Sequence, residues 1–346
     1  MVANESVIFN EIPKGYPEPG KTLKKVEGEI DLDAPLDNGA VLLKTKVLSL
    51  DPYLRGRMRP AEIQSYVPAF ELGAPIVNFG VGEVLKSENA KFKKGDHVYG
   101  QLQFSKYQVV PKDAAESLVV LENKEKLPWT VWVGAAGMPG QTAQYGLRKI
   151  AQIKKGDVVA VSGAMGPVGQ VTIALAHKVG AKVIASAGSE EKVKFLKEQY
   201  GVERAFNYKT EKASDVYAEW NKEHGPFSIY VDNVGGEQLE AALDHIGRGG
   251  RIVAIGGIST YNGQPYGIKN LFHVVAKELK FEGFIILNHT TPEFLKEFYS
   301  EVPPAIADGS IPIKEHVFKG LDNGESFATL FDQENSNFGK AVISLE

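Results

Sequence analysis

The chain contains no cysteine. That absence excludes disulfides, thiolate metal sites and cysteine nucleophiles together. No stretch approaches the roughly 18 uninterrupted apolar residues that cross a bilayer, so no membrane partner is expected. Charge of one sign is scarce too. Lys and Arg number 39 against 43 Asp and Glu, a formal net charge of −4 over 346 residues. That balance gives no reason to expect nucleic acid or an anionic surface as a partner. The first residues, MVANESVIFNEIPKGYPEPG, lack a basic segment followed by an apolar one. With the missing cysteines, this predicts a cytoplasmic protein without a secretory leader. There is no internal repeat and no segment of low complexity.

What is present points to two domains, at roughly 100–200 residues each. Up to about residue 127, short β candidates at 41–47, 80–85, 96–100 and 107–110 alternate with turn signals and predict a small barrel or folded sheet. The tetrapeptide Lys-Lys-Gly-Asp occurs at 93–96 and again at 154–157, in both places as turn chemistry entering a strand. After Leu127 the pattern changes. Residues 131–147 are apolar with many small side chains and partly helical. Strands at 158–161, 182–185, 229–231 and 251–255 then alternate with helices at 169–179, 190–200 and 238–246, with Gly180 and Gly201 as helix stops. This alternation predicts an α/β fold with a doubly wound parallel sheet of the Rossmann kind. From about Phe284 the pattern is mixed, ending in a strand at 340–345.

The strand at 158–161 runs into Ser162-Gly163-Ala164-Met165-Gly166-Pro167-Val168-Gly169 and then a helix. Glycines in such a turn let the chain bend sharply, approach a pyrophosphate and pack helix on strand, while the helix N-terminus offers free N–H groups to phosphate. Ala164 stands at the first position of the G-x-G-x-x-G pattern. The next strand ends in Ser186-Ala187-Gly188-Ser189, without the carboxylate that binds a ribose 2′-hydroxyl in NAD sites. Lys192 follows within one helical turn and can pair with a 2′-phosphate. Glu190 and Glu191 count against this unless they point outward. The balance favours NADP(H). Asp232–Gly236 and Gly256–Tyr261 also follow parallel strands, where open α/β sheets bind ligands. Ordinary turns are the alternative at each place.

The histidines at 97, 177, 224, 245, 273, 289 and 316 form no compact ligand spacing, and no metal site is expected. Such a chain suits hydride addition to the β-carbon of an enone, with charge building on the carbonyl oxygen and a tyrosine or ribose hydroxyl stabilising it.

Leu48-Ser49-Leu50-Asp51-Pro52-Tyr53-Leu54-Arg55, Gly137-Met138-Pro139-Gly140-Gln141-Thr142-Ala143, Ala187-Gly188-Ser189-Glu190-Glu191-Lys192, Phe206-Asn207-Tyr208-Lys209 and Asn337-Phe338-Gly339-Lys340 are collinear with the glycine turns. As a set they resemble the leukotriene B4 12-hydroxydehydrogenase/prostaglandin reductase family and the related plant alkenal double-bond reductases, zinc-independent medium-chain dehydrogenases/reductases. The resemblance implies a GroES-like β-rich catalytic domain begun by residues 1–127, a Rossmann domain over 128–285, and a C-terminal part, 286–346, that completes the catalytic domain. It implies NADPH contacts at Gly166, Pro167, Val168, Gly169, Lys192, Tyr208, Asn233, Ile255, Gly256, Gly257, Ile258, Ser259, Thr260, Tyr261, Phe284, Ile285, Ile286 and Asn337. Lys192 and Tyr208 would hold the 2′-phosphate, and the segment at Phe284 would lie along the nicotinamide. Tyr261 would sit near the enone oxygen and Tyr53 would line the substrate pocket, making these two the catalytic candidates. The partners implied are a small α,β-unsaturated carbonyl substrate and a second copy in a homodimer. Arg55, Arg57 and Arg59 read as a solvated basic face. Segments 60–75, 260–269 and 288–292 depart from the family pattern, and substrate choice is expected to be set there. A zinc-free NADPH quinone oxidoreductase and a non-catalytic NADPH-binding protein are the competing readings.

Overall fold

The run Val158–Val161 becomes the first strand of a six-stranded parallel sheet. The sheet order is Arg204–Asn207, Lys182–Ala187, Val158–Val161, Ile229–Asp232, Arg251–Ala254, Lys280–Gly283. This is the doubly wound 3-2-1-4-5-6 order, whose direction reverses between the strands Val158–Val161 and Ile229–Asp232. The central strands are apolar on both faces because helices cover both. Helices Pro167–Val179, Glu190–Tyr200, Ala213–His224 and Gly236–His245 supply the crossovers. Against the sheet, Phe206, Tyr217, Phe227 and Tyr230 are fully buried in one cluster with Ile184, Leu243 and Ile252. The computed structural model describes residues 1–332 and 336–346.

This sheet belongs to a compact unit of residues Ala135–Lys314, in place of the expected edges at 128 and 285. Helix Pro292–Ala307 explains the longer reach. Phe294 stands edge-on to Tyr145 at 5.6 Å, and Arg148 pairs with Glu297 and Glu301 at 2.7 and 2.6 Å. Phe298, fully buried, lies 3.2 Å from where a Cβ on Gly140 would stand. The helix therefore shares its core with Met138–Tyr145 and cannot be assigned to the other unit.

The second unit joins Met1–Gly134 to Glu315–Glu346. Its seven-stranded sheet runs Glu315–Lys319, Lys340–Ser344, Val41–Ser49, Val77–Ser87, His97–Gln103, Val119–Val120, with Tyr107–Val110 paired to Val41–Ser49 off that path. Register shifts between Leu42 and Leu43 and between Thr45 and Val47 bend the central strand. Strands Val2–Phe9 and Leu23–Ile30 form a separate antiparallel pair. This is the β-rich unit expected beside a Rossmann sheet.

The repeated tetrapeptide makes the same turn in each unit. Lys93 N–H donates to Asp96 Oδ2 at 2.8 Å, and Lys154 N–H donates to Asp157 Oδ2 at 2.9 Å.

Candidate cofactor and active site

The turn after Val158–Val161 is built for close approach. Gly163 takes a left-handed φ of +59°, so it and not residue 164 makes the sharp bend. Ala164 is fully buried, and its N–H donates to Ser186 O at 2.9 Å. A Cβ on Gly169 would stand 2.4 Å from Ala164 O and 2.6 Å from Ala164 C and Cα. Those are backbone atoms that cannot step aside, so position 169 accepts only glycine. Gly166 is the N-cap and Pro167 opens the helix, leaving its first N–H groups without intrahelical partners. This cradle fits a pyrophosphate.

At the end of Lys182–Ala187, Ser189 caps the next helix by accepting from Lys192 N–H at 3.3 Å. Lys192 is buried, 7% exposed. The Glu190 carboxylate, which would repel phosphate, is turned toward strand Arg204–Asn207, where Asn207 Nδ2 and Thr210 Oγ1 donate to it at 2.8 and 3.3 Å. Tyr208, half-exposed, is fixed by its N–H to Ala187 O at 3.1 Å. Lys192 and Tyr208 thus stand at the carboxyl ends of neighbouring strands.

At the switch point, the buried Asp232 carboxylate accepts from Gly235 N–H, Val234 N–H and Ser162 Oγ at 2.8, 3.2 and 3.2 Å. Burial pushes its pKa up, while those donors oppose the rise. Asn233 is locked onto Ser162, its Nδ2 donating to Ser162 O at 2.8 Å. The loop 255–261 is tied to the same strand end. Ile255 N–H and Gly256 N–H donate to Asp232 O, and Ser259 Oγ donates to Val234 O at 2.6 Å. Tyr261 folds back over this loop, its phenolic oxygen accepting from Gly257 N–H at 3.5 Å. Burial raises its pKa. Phe284 follows strand Lys280–Gly283 and packs on Tyr145 at 5.1 Å, with Ile286 buried beyond it. The structure therefore gathers Gly166–Gly169, Asn233, 255–261 and 284–286 at the carboxyl ends of one sheet. Tyr145 also bonds its hydroxyl to His289 Nδ1 at 3.0 Å, a pair that no sequence spacing announced.

Tyr53 and Asn337 lie in the β-rich unit. Asn337 Nδ2 donates to Gly339 O at 3.1 Å, while its Oδ1 is a buried acceptor without a partner among the described residues. Tyr53 donates to Asn78 Oδ1 at 2.6 Å. Asn78 in turn donates to Ser49 O and to Asp51 Oδ2 at 2.8 and 2.9 Å, and Asp51 Oδ1 accepts from Lys340 Nζ at 2.9 Å. Burial and the Asp51 charge push the Tyr53 pKa well above the usual phenol value, so the hydroxyl keeps its proton. Sequence reasoning gave Asn78 and Lys340 no role. The available signal was an amide within the apolar first half of strand Val77–Ser87.

The three arginines do not form a solvated face. Arg55 donates to Gly15 O at 2.8 Å, and Arg57, buried, donates to Pro68 O and Val77 O at 3.1 and 2.7 Å and stacks on Phe70 at 4.2 Å. Arg59 donates to Gly56, Ile63 and Val67 carbonyls at 2.7, 2.8 and 2.6 Å. A guanidinium carries five donors in a rigid fork, so each can pin several loop carbonyls at once. Arg57 and Arg59 hold residues 63–68 of the unmatched segment 60–75.

Among the described residues no group of three His, Asp or Glu could hold a metal ion, and a thiolate site is impossible without cysteine. The donor set does not fit zinc. Also among the described residues, no helix is long and apolar enough to cross a membrane.

The chain matches two family models, one described as zinc-binding dehydrogenase over residues 167–300 and one as the N-terminal domain of oxidoreductase over residues 6–118. It is 38% identical over 349 residues to a protein of Nicotiana tabacum named 2-alkenal reductase (NADP(+)-dependent), covering 99% of this chain and 97% of that one. It is 34% identical over 332 residues to prostaglandin reductase 1 of Sus scrofa, covering 95% of each. Among solved structures it is similar to CurA of Vibrio vulnificus in complex with NADPH, with TM-score 0.87, 30% identity and 99% of both chains covered.

Proposed function

The chain belongs to the zinc-independent medium-chain dehydrogenase/reductase family of the alkenal and prostaglandin reductase type, and from that membership we propose that it reduces the C=C bond of α,β-unsaturated aldehydes and ketones with NADPH. The observation that carries the cofactor choice is the strand end at Ser186–Ser189. It has no carboxylate, a buried lysine follows, and the nearby Glu190 is already engaged by Asn207 and Thr210. The names of the relatives support the acceptor class.

NADPH, when bound, supplies the hydride. The cradle at Gly166, Pro167, Val168 and Gly169 would hold the pyrophosphate, and Lys192 and Tyr208 the 2′-phosphate. Asn233, the loop 255–261 and the segment 284–286 would line the rest of the cofactor, and Asn337 is a further candidate contact. Tyr261 keeps its proton at neutral pH because burial raises its pKa. Its oxygen is steadied by Gly257 N–H. Its O–H is therefore available to stabilise the developing enolate oxygen and then to protonate it. Our reading also includes a homodimer, which sedimentation velocity tests.

Steady-state kinetics with NADPH across 2-alkenals, enones and quinones tests the reaction. Reduction of the alkenals and enones at the C=C bond, shown by the saturated carbonyl product, is expected. Turnover of quinones alone would overturn the proposal, and tight NADPH binding with no acceptor reduced would make the protein a binder.

A further inference from the structure

Gln170 follows the glycine turn directly and is buried in the first turns of helix Pro167–Val179. A buried amide is costly unless its polar atoms find partners. Here both Nε2–H bonds are used, on Met165 O at 2.7 Å and on Lys314 O at 3.1 Å, and Oε1 accepts from Lys314 N–H at 2.7 Å. Lys314 is thus held by both polar atoms of its backbone, 144 positions along the chain. Turning the amide over would set its oxygen against two carbonyls, so its orientation is fixed.

Met165 O and Gly166 N–H belong to one rigid peptide plane. Gly166 N–H donates to Gly163 O at 3.1 Å. With Gln170 on the opposite edge, that plane is held from both sides, and the turn shaped for a pyrophosphate keeps its form. Lys314 is the last residue of the Rossmann unit, and Glu315 opens strand Glu315–Lys319 of the other. There the Glu315 carboxyl accepts from Thr130 Oγ1 at 2.7 Å. Tyr200 ties the same exit to a second helix. It ends Glu190–Tyr200, whose first turn carries Lys192, and its hydroxyl donates to Pro312 O at 2.6 Å with the oxygen 3.1 Å from Gln170 Oε1. Segment 312–314 is therefore held by both helices that the cofactor's phosphates would meet.

We propose that Gln170 is a positioning residue that couples the pyrophosphate turn to segment 312–314, so that a bound dinucleotide steadies the chain where it leaves the Rossmann unit. The coupling is reciprocal, and holding that segment in place tightens the dinucleotide. This rests on the reading of Gly166–Gly169 as the dinucleotide cradle, and not on the identity of the acceptor.

Hydrogen–deuterium exchange read by mass spectrometry, with and without NADP⁺, tests this without turnover. At about 100 times its Kd a ligand depopulates any opening that releases it by roughly 100-fold. The Ile313 and Lys314 amides of wild type should therefore exchange up to about 100-fold more slowly with NADP⁺ present. Gly249 N–H, bonded to Lys277 O at 2.7 Å just before strand Arg251–Ala254, is the control and should not slow. Gln170→Met keeps the side chain's length and removes the amide. In this variant NADP⁺ should still slow residues 163–169, while its effect on Ile313 and Lys314 falls to about one-fold. Ile313 makes the comparison fair, because its N–H is not the one that Gln170 accepts. Calorimetry should show the variant weakening NADP⁺ and NAD⁺ by the same factor, since the turn serves both. A cofactor effect on Ile313 that persists in the variant, or a loss confined to NADP⁺, overturns the proposal. If the variant does not fold, wild type decides alone, and equal slowing at Lys314 and Gly249 overturns it. Slowing of residues 163–169 without slowing at 313–314 sinks the coupling only. No slowing at 163–169 in wild type sinks the cradle reading and the coupling with it.

Discussion

Replacing Lys192 with alanine is the most direct perturbation of the cofactor assignment. The side chain starts in the first turn of helix Glu190–Tyr200 and is 7% exposed, so a bond from its ammonium to phosphate forms largely out of water. A charge-assisted hydrogen bond of that kind is worth about 1.5–3 kcal/mol, which at about 1.4 kcal/mol per decade is roughly 10- to 140-fold in Kd. NADH carries no 2′-phosphate and loses nothing by the same argument. Lys192→Ala should therefore shift the ratio of NADPH to NADH affinity by nearly the whole amount, read by calorimetric titration of each coenzyme. NADPH binding should also become less sensitive to salt, because one screened charge pair is gone. Equal weakening of the two coenzymes would refute the reasoning, and so would a wild type that prefers NADH.

Gly169→Ala drives a methyl into the Ala164 backbone at 2.4 Å. Overpacking of this kind costs about 1–3 kcal/mol, so scanning fluorimetry should show a Tm lower by roughly 2–4 °C for each of those kcal/mol, and an unchanged Tm would contradict the packing. Lys340→Met leaves the Asp51 carboxylate buried beside no cation. Urea unfolding should lose about 3–5 kcal/mol, with part recovered when Asp51→Asn is added. Asp157 pairs with Arg251 at 2.6 Å. Burial pushes its carboxyl up, but Arg251, Lys154 N–H and Ser228 outweigh it and hold the pKa below the ordinary 3.8. The charge therefore stabilises the fold fully above that value, and the contribution is lost as pH falls through the lower folded value. The stability gap between wild type and Asp157→Asn should be widest near neutrality and close below about pH 3.8, and a gap that widens in acid would refute the pairing.

Much of the Rossmann unit was legible because its signals are local. Helix Glu190–Tyr200 starts after Ser189 and stops before Gly201, and the buried strand Val158–Val161 is a run of Val and Ala. Where long-range packing decides, the sequence is silent or misleading. Proline ordinarily breaks a helix, yet Pro303 and Pro304 sit inside Pro292–Ala307, whose apolar face is held by Phe294 and Phe298. Strand Lys280–Gly283 is exposed at every position and has no apolar pattern to reveal it. Strands Val2–Phe9 and Leu23–Ile30 are likewise little buried. In the site, the fingerprint alignment drew attention to Ala164 and away from Gly163. The arginine trio read as solvated because charge pattern cannot show that its targets are loop carbonyls. The amide Asn78 stood out among apolar neighbours, but its role was hidden for a similar reason, since its partners lie 25 to 29 positions away in the chain.

The β-rich unit is stitched from both ends of the chain, with Lys340–Ser344 wedged between Glu315–Lys319 and Val41–Ser49. On the ribosome, the first 134 residues must wait until the final strand is translated, whereas Ala135–Lys314 can close as soon as it emerges. During that interval Val41–Ser49 exposes the edge that Lys340–Ser344 later covers, a surface open to mispairing with other nascent strands. A chain that stopped short of Lys340 would leave that edge bare for its life.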